Sequence, residues 1–145
     1  MLKRDAAPSA SYSTAGAGAS CDTMTAACVS ELMNAATSFH KLHLKVQGMG
    51  SFAAHKALNE LYDALPGHAD DLAEGFQGAT EKLLEYEDFS PIVLNSVEES
   101  LSYIRDIYQM ISTLQGLMPY SEIVNDLDNV KSTLNSIKYK LLFLK

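Results

Sequence analysis

The chain has 145 residues, 47% of them hydrophobic, with 18 acidic against 11 basic side chains and a net charge of -7. That length suits one domain with its own core, and the acidic balance excludes nucleic-acid binding through the overall field. No stretch approaches the roughly 18 uninterrupted apolar residues of a membrane span, and the opening segment has no apolar core of signal-peptide length.

Residues 1–19 are mostly Ala, Ser and Gly and read as a flexible tail whose cations are Lys3 and Arg4. A single domain over 20–145 follows, and its pattern is helical throughout. The first predicted helix starts near Ser20 or Asp22, either of which can cap it. Cys21, Met24, Cys28, Leu32, Ala35, Phe39, Leu42 and Val46 recur at steps of three and four, one apolar stripe that ends at Gly48 and Gly50. Cys21 and Cys28 lie about 10 Å apart on a helix, too far for a disulfide, and point to a reducing, cytosolic setting.

Ser51 is the expected cap of the second helix, which carries Phe52, Leu58, Leu61, Tyr62, Leu65, Leu72, Phe76 and Leu83. Pro66-Gly67 inside it predicts a kink or a short break. After an interruption over 86–95, a third helix carries Val97, Leu101, Ile104, Ile107, Ile111 and Leu114 and stops at Gly116 and Pro119. The fourth runs through Ile123, Leu127, Val130, Leu134, Ile137, Leu141 and Leu144. No alternating β-branched run appears, so the expected class is all-α, an antiparallel four-helix bundle. Short first and last connections make two hairpins. The longer middle link can cross the bundle's length, as in ferritin-like folds.

His43 and His55 flank the Gly48/Gly50 turn and should face each other at similar height. Along the second helix His55, Asn59, Asp63, Asp70 and Glu74 form one polar stripe. Imidazole with carboxylate is a donor set suited to iron. His55 and Asp70 are 15 residues apart, about 22 Å on a straight helix. One site therefore needs either a fold-back at Pro66 or a second copy across a two-fold axis near mid-helix. His40 and His68 read as structural or solvent-facing. No nucleophile motif, Gly-rich phosphate loop, CxxC or Glu-x-x-His pair is present.

The stretch from His43 to Glu74, HLKVQGMGSFAAHKALNELYDALPGHADDLAE, resembles the signature segment of the Dps-type (DNA-protecting) mini-ferritins. That family's pattern is two histidines, an Asp, then D-x-x-x-E at matching intervals. The matching positions are His43, His55, Asn59, Asp70 and Glu74. Asn59 stands where the family has Asp, an amide being a weaker, neutral donor, and Asp63 is the alternative ligand one turn on. Leu44 replaces a common Trp, and the middle link is shorter than in typical members. These departures fit a remote member, such as one carried by a bacteriophage. The resemblance implies a cytoplasmic, hollow twelve-subunit shell with iron as its cargo. It further implies ferroxidase activity, in which ferrous iron is oxidised by peroxide or oxygen at a site shared between subunits. The other reading is a ferritin-like structural or interaction protein with weakened or lost oxidation. With a tail holding only Lys3 and Arg4, DNA binding is expected to be weak or absent.

Overall fold

A computed structural model describes residues 20–145, so the expected tail over 1–19, with Lys3 and Arg4, lies outside it. The described residues form four α-helices and no strand: α1 (Cys21–His43), α2 (Ser51–Thr80), α3 (Val97–Leu117) and α4 (Ser121–Phe143). None is long and apolar enough to cross a membrane.

Each boundary has a local cause. The Ser20 hydroxyl accepts the Thr23 amide at 3.1 Å and caps α1, while His40, Lys41 and His43 occupy its last turn, where cations complement the helix dipole. At α2 the expected cap is displaced by one residue. Gly50, at φ 81, is the cap and Ser51 is already helical. The turn needs a positive φ at Gly48 as well (92), a conformation that glycine adopts without steric cost. A serine cap uses extended backbone, which this turn does not provide.

Pro66 does not end α2. The helix runs continuously through it for 30 residues, about 45 Å. Pro66 and Gly67 are both exposed, so the ring meets solvent and the lost hydrogen bond to the Tyr62 carbonyl is the main penalty. Beyond Thr80 the chain leaves the helix through Glu81, at φ 56. Leu83, expected on the buried stripe, therefore falls outside α2 and is 84% exposed. Phe52 and Leu144 are likewise exposed rather than packed.

The connection from 81 to 96 is extended and runs back along α1. Lys82 meets Asp22 at 2.5 Å near the start of α1. Asn34 then donates to the Phe89 carbonyl, Ser38 to that of Ile92 and Lys45 to that of Leu94, each at 2.7 Å. The last turns of α1 with the turn after it, from Asn34 to Lys45, match in length the extended stretch from Phe89 to Leu94, so the two segments run the same way. The crossover delivers α3 to the end of the bundle where α2 also begins.

Consequently every packed neighbour is antiparallel. Between α2 and α4, Phe76 meets Tyr120 (ring centroids 6.1 Å apart), His68 meets Thr133 and Glu60 pairs with Lys140. Between α3 and α4, Gln115 donates to the Val124 carbonyl and to Asp128. Between α1 and α3, Phe39 stacks obliquely on Tyr103 at 5.3 Å, and the Tyr103 hydroxyl donates to the buried Glu31 carboxylate. The core is the meeting of the four stripes: Leu32, Phe39, Leu58, Leu61, Leu65, Phe76, Ile107, Leu127 and Leu134 are each 1% exposed or less. Cys28 belongs to it, and burial raises its thiol pKa; Cys21 is only half-buried.

Removing one anchor of the crossover should be measurable. Ser38→Ala leaves the Ile92 carbonyl without its donor, and we expect a loss of about 1–3 kcal/mol in urea unfolding. Faster proteolytic cleavage within 85–95 should accompany it. A variant equal to wild type in both measurements would show that the crossover is not held at this point.

Candidate metal centre

The α1–α2 turn brings His43 and His55 together as their positions on either side of it require. Their rings stack with centroids 3.8 Å apart and planes 25° from parallel. The His55 Nδ1 lies 3.0 Å from the His43 carbonyl oxygen. A carbonyl only accepts, so Nδ1 carries the proton and the neutral ring is left with a lone pair on Nε2. Histidines that bind metals are typically oriented in this way, one nitrogen donating to a backbone carbonyl and the other left for the ion.

His43 is 7% exposed, and both its ring nitrogens are buried without a hydrogen-bond partner. Burial holds its pKa below the ordinary value, and the nearby His55 and His40 rings push in the same direction. A polar approach to the His40 backbone and the Asp63 carboxylate partly offset this. An unpartnered buried imidazole carries a desolvation penalty unless something binds it.

Two aromatic side chains that the sequence did not single out for the site complete this corner. His40 stacks on Tyr62 at 3.9 Å, with the planes 10° apart, and Tyr62 presents an edge to His43 at 5.0 Å. The usable signal was the His40–His43 spacing of three, which places both rings on one side of α1.

The oxygen donors are distributed differently. Asn59 is half-buried one turn after His55, and its amide donates to Asp63 Oδ2 at 2.6 Å. Asp63, Asp70 and Glu74 are exposed along α2. Because α2 is continuous, the roughly 22 Å between His55 and Asp70 stands. That excludes the fold-back at Pro66 as a route to one site within one chain. Among the described residues no group of three or more His, Cys, Asp or Glu side chains is placed to hold a metal ion. The chain thus assembles the nitrogen pair and leaves Asp70 and Glu74 apart from it.

His68 is a separate case. It is half-buried and its Nε2 meets the Thr133 hydroxyl at 2.9 Å. Burial lowers its pKa, with Asp71 and Asp126 pulling the other way. The unfolded chain therefore takes up this proton more readily than the folded one. The stability contributed by neutral His68 is complete above pH about 6.5 and is lost as pH falls through the lower folded value. Urea midpoints at pH 7.5 and 5.5 should show a smaller acid-side loss in His68→Gln than in wild type. Equal losses would remove His68 from the account.

Residues 43–141 match the model of a family of unknown function, DUF5856, a stretch that begins at His43 and contains every candidate ligand. No curated protein and no solved structure matches the chain. Since the match covers more than half of its length, the chain belongs to that family of unknown function.

Proposed function

We propose that this protein is a ferritin-like, Dps-type iron protein that binds and oxidises ferrous iron at a site shared by two copies of the chain. The observation that carries the reading is the histidine pair: His43 with both ring nitrogens buried and unpartnered, beside His55 with Nδ1 bound and Nε2 left for an ion. The crossover along α1 and the antiparallel neighbours support the ferritin-like assignment.

The outer surface of α2 supports the two-copy arrangement. Lys56 and Glu74 are both exposed and 18 residues apart, five full turns, so they lie on one line along the helix. A second α2 laid antiparallel about residue 65 sets each Lys56 near the Asp70–Glu74 segment of the other copy. The same axis brings His43 and His55 towards Asp70 and Glu74 of the second chain. Pro66 and the side-chain-free Gly67 lie near the crossing point, where two helices must approach closely.

In this reading the imidazoles supply neutral donors that hold ferrous iron, and the carboxylates favour the harder ferric product. Two ferrous ions supply the two electrons that, with two protons, reduce one hydrogen peroxide to two waters. Asn59, tied to Asp63 through its amide, contributes at most a neutral oxygen. The second reading, a ferritin-like scaffold with weakened or lost oxidation, is favoured by one observation: among the described residues of one chain no three-ligand cluster forms.

Subunit complementation tests the shared site. We expect purified protein to form at least a two-fold assembly and to oxidise ferrous iron faster than buffer. Both His43→Ala/His55→Ala and Asp70→Asn/Glu74→Gln should abolish that rate. Refolding the two inactive variants together should restore about a quarter of wild-type activity, because only half the pairs are mixed and each mixed pair carries one intact site. A monomer without activity would leave only the scaffold reading. No recovery on mixing, in a protein whose single variants are inactive, would refute the shared site.

A further inference from the structure

At the end of the bundle where α1 and α4 finish and α2 and α3 begin, the four helices surround a cavity of about 550 Å³. That volume falls within the range of small-molecule sites. Its floor is apolar: Leu42, Ala54, Leu101 and Leu141 are 1%, 8%, 8% and 4% exposed. Its rim carries Lys45 and Lys145, with Glu98 as the acid among the lining residues. Lys45 is held in place by the Leu94 carbonyl at 2.7 Å and Asn95 Oδ1 at 3.5 Å, which leaves one of its three N–H groups for a ligand. The α2 N-terminus opens on the same cavity through Gly50 and Ser51. No side chain caps it and no acid lies in its first turn, so the positive end of its dipole faces this opening.

The two halves of this lining select the ligand. A small inorganic anion would satisfy the ammonium groups and leave the apolar floor wet. A neutral hydrocarbon would fill the floor and leave the cations unmatched. We infer that the end cavity binds an amphipathic acyl anion, its chain against Leu42, Leu101 and Leu141 and its carboxylate at Lys45 and Lys145. The exposed Met49 and Leu144 also line the cavity and carry its apolar surface out towards solvent. None of the proposed iron ligands lines this cavity, so the inference stands or falls independently of the iron reading.

Calorimetric titration of the full chain with octanoate, decanoate and dodecanoate tests it, with dodecanol, inorganic phosphate and phosphatidylglycerol vesicles as further probes. We expect saturable binding of one dodecanoate per chain, tightening about three- to fourfold for each added methylene. Inorganic phosphate should not bind. Val97→Phe, which narrows the cavity from the partly buried start of α3, should weaken dodecanoate about tenfold or more. Lys45→Gln keeps a donor for the Leu94 carbonyl but removes the charge. It should weaken dodecanoate about tenfold while leaving dodecanol unchanged. Circular dichroism melts confirm that each variant is folded, and the chain-length series needs no variant. Vesicle binding lost in Val97→Phe would identify an acyl chain still in a bilayer as a second source of the same ligand. No saturable dodecanoate binding, affinity independent of chain length, or affinity unchanged in both variants would overturn the proposal. So would vesicle binding that Val97→Phe leaves intact.

Discussion

The rest of the molecule depends on α2 being one unbroken rod. A helix of 30 residues holds its ends about 45 Å apart and fixes every residue's height and direction along that length. It carries His55 near one end and Asp70 and Glu74 beyond its middle, and it gives α1 and α4 their antiparallel partners. Had Pro66 folded it back, the two ends of the polar stripe would have come together. Because Pro66 faces solvent, the backbone absorbs the loss of one hydrogen bond and continues. The separation of His55 from Asp70 and Glu74 within one chain follows directly from that continuity.

The second constraint is the crossover. An extended segment cannot satisfy its backbone by itself, and here side chains of α1 and of the turn after it do part of that work. Asn34, Ser38 and Lys45 each donate to one of its carbonyls. This seam sets the direction of α3 and thereby places four chain segments around one end of the bundle. The cavity there and the histidine pair beside it are consequences of the same path, the first from where α3 and α4 meet that end and the second from the tight Gly48–Gly50 turn. The buried Glu31, held by Tyr103, fixes α1 against α3 from inside.

The histidine corner shows how a polar group comes to be buried in a helix hairpin. His43 closes α1, where the dipole favours a cation, yet stacking on His55 and the edge of Tyr62 removes it from water and favours the neutral ring. The balance falls on the neutral side because desolvation is the largest effect. The His43 carbonyl meanwhile fixes the His55 tautomer. One residue thus contributes a buried ring and the backbone group that orients its neighbour.

The four helices, their amphipathic stripes and the meeting of His43 with His55 are legible from residue order alone, because each rests on local periodicity or on a short turn. Ser20 as a cap, Gly48 and Gly50 as a break, and the stop before Pro119 were legible for the same reason. Phe52 is exposed because helical spacing gives a direction but not whether a neighbour stands there, and Leu83 and Leu144 are exposed because α2 and α4 end before them. Gly50 caps α2 in place of Ser51 because the turn needs a positive φ that only the glycine adopts freely. The fate of Pro66 needs the packed molecule, since a proline's effect depends on whether its ring meets protein or solvent. The tertiary structure alone showed His40 and Tyr62 joining the histidine pair, and Asn59 donating to Asp63 rather than standing free. It also decided that Asp70 and Glu74 lie beyond reach of His55 within one chain, because distance along a straight helix cannot be shortened by side chains.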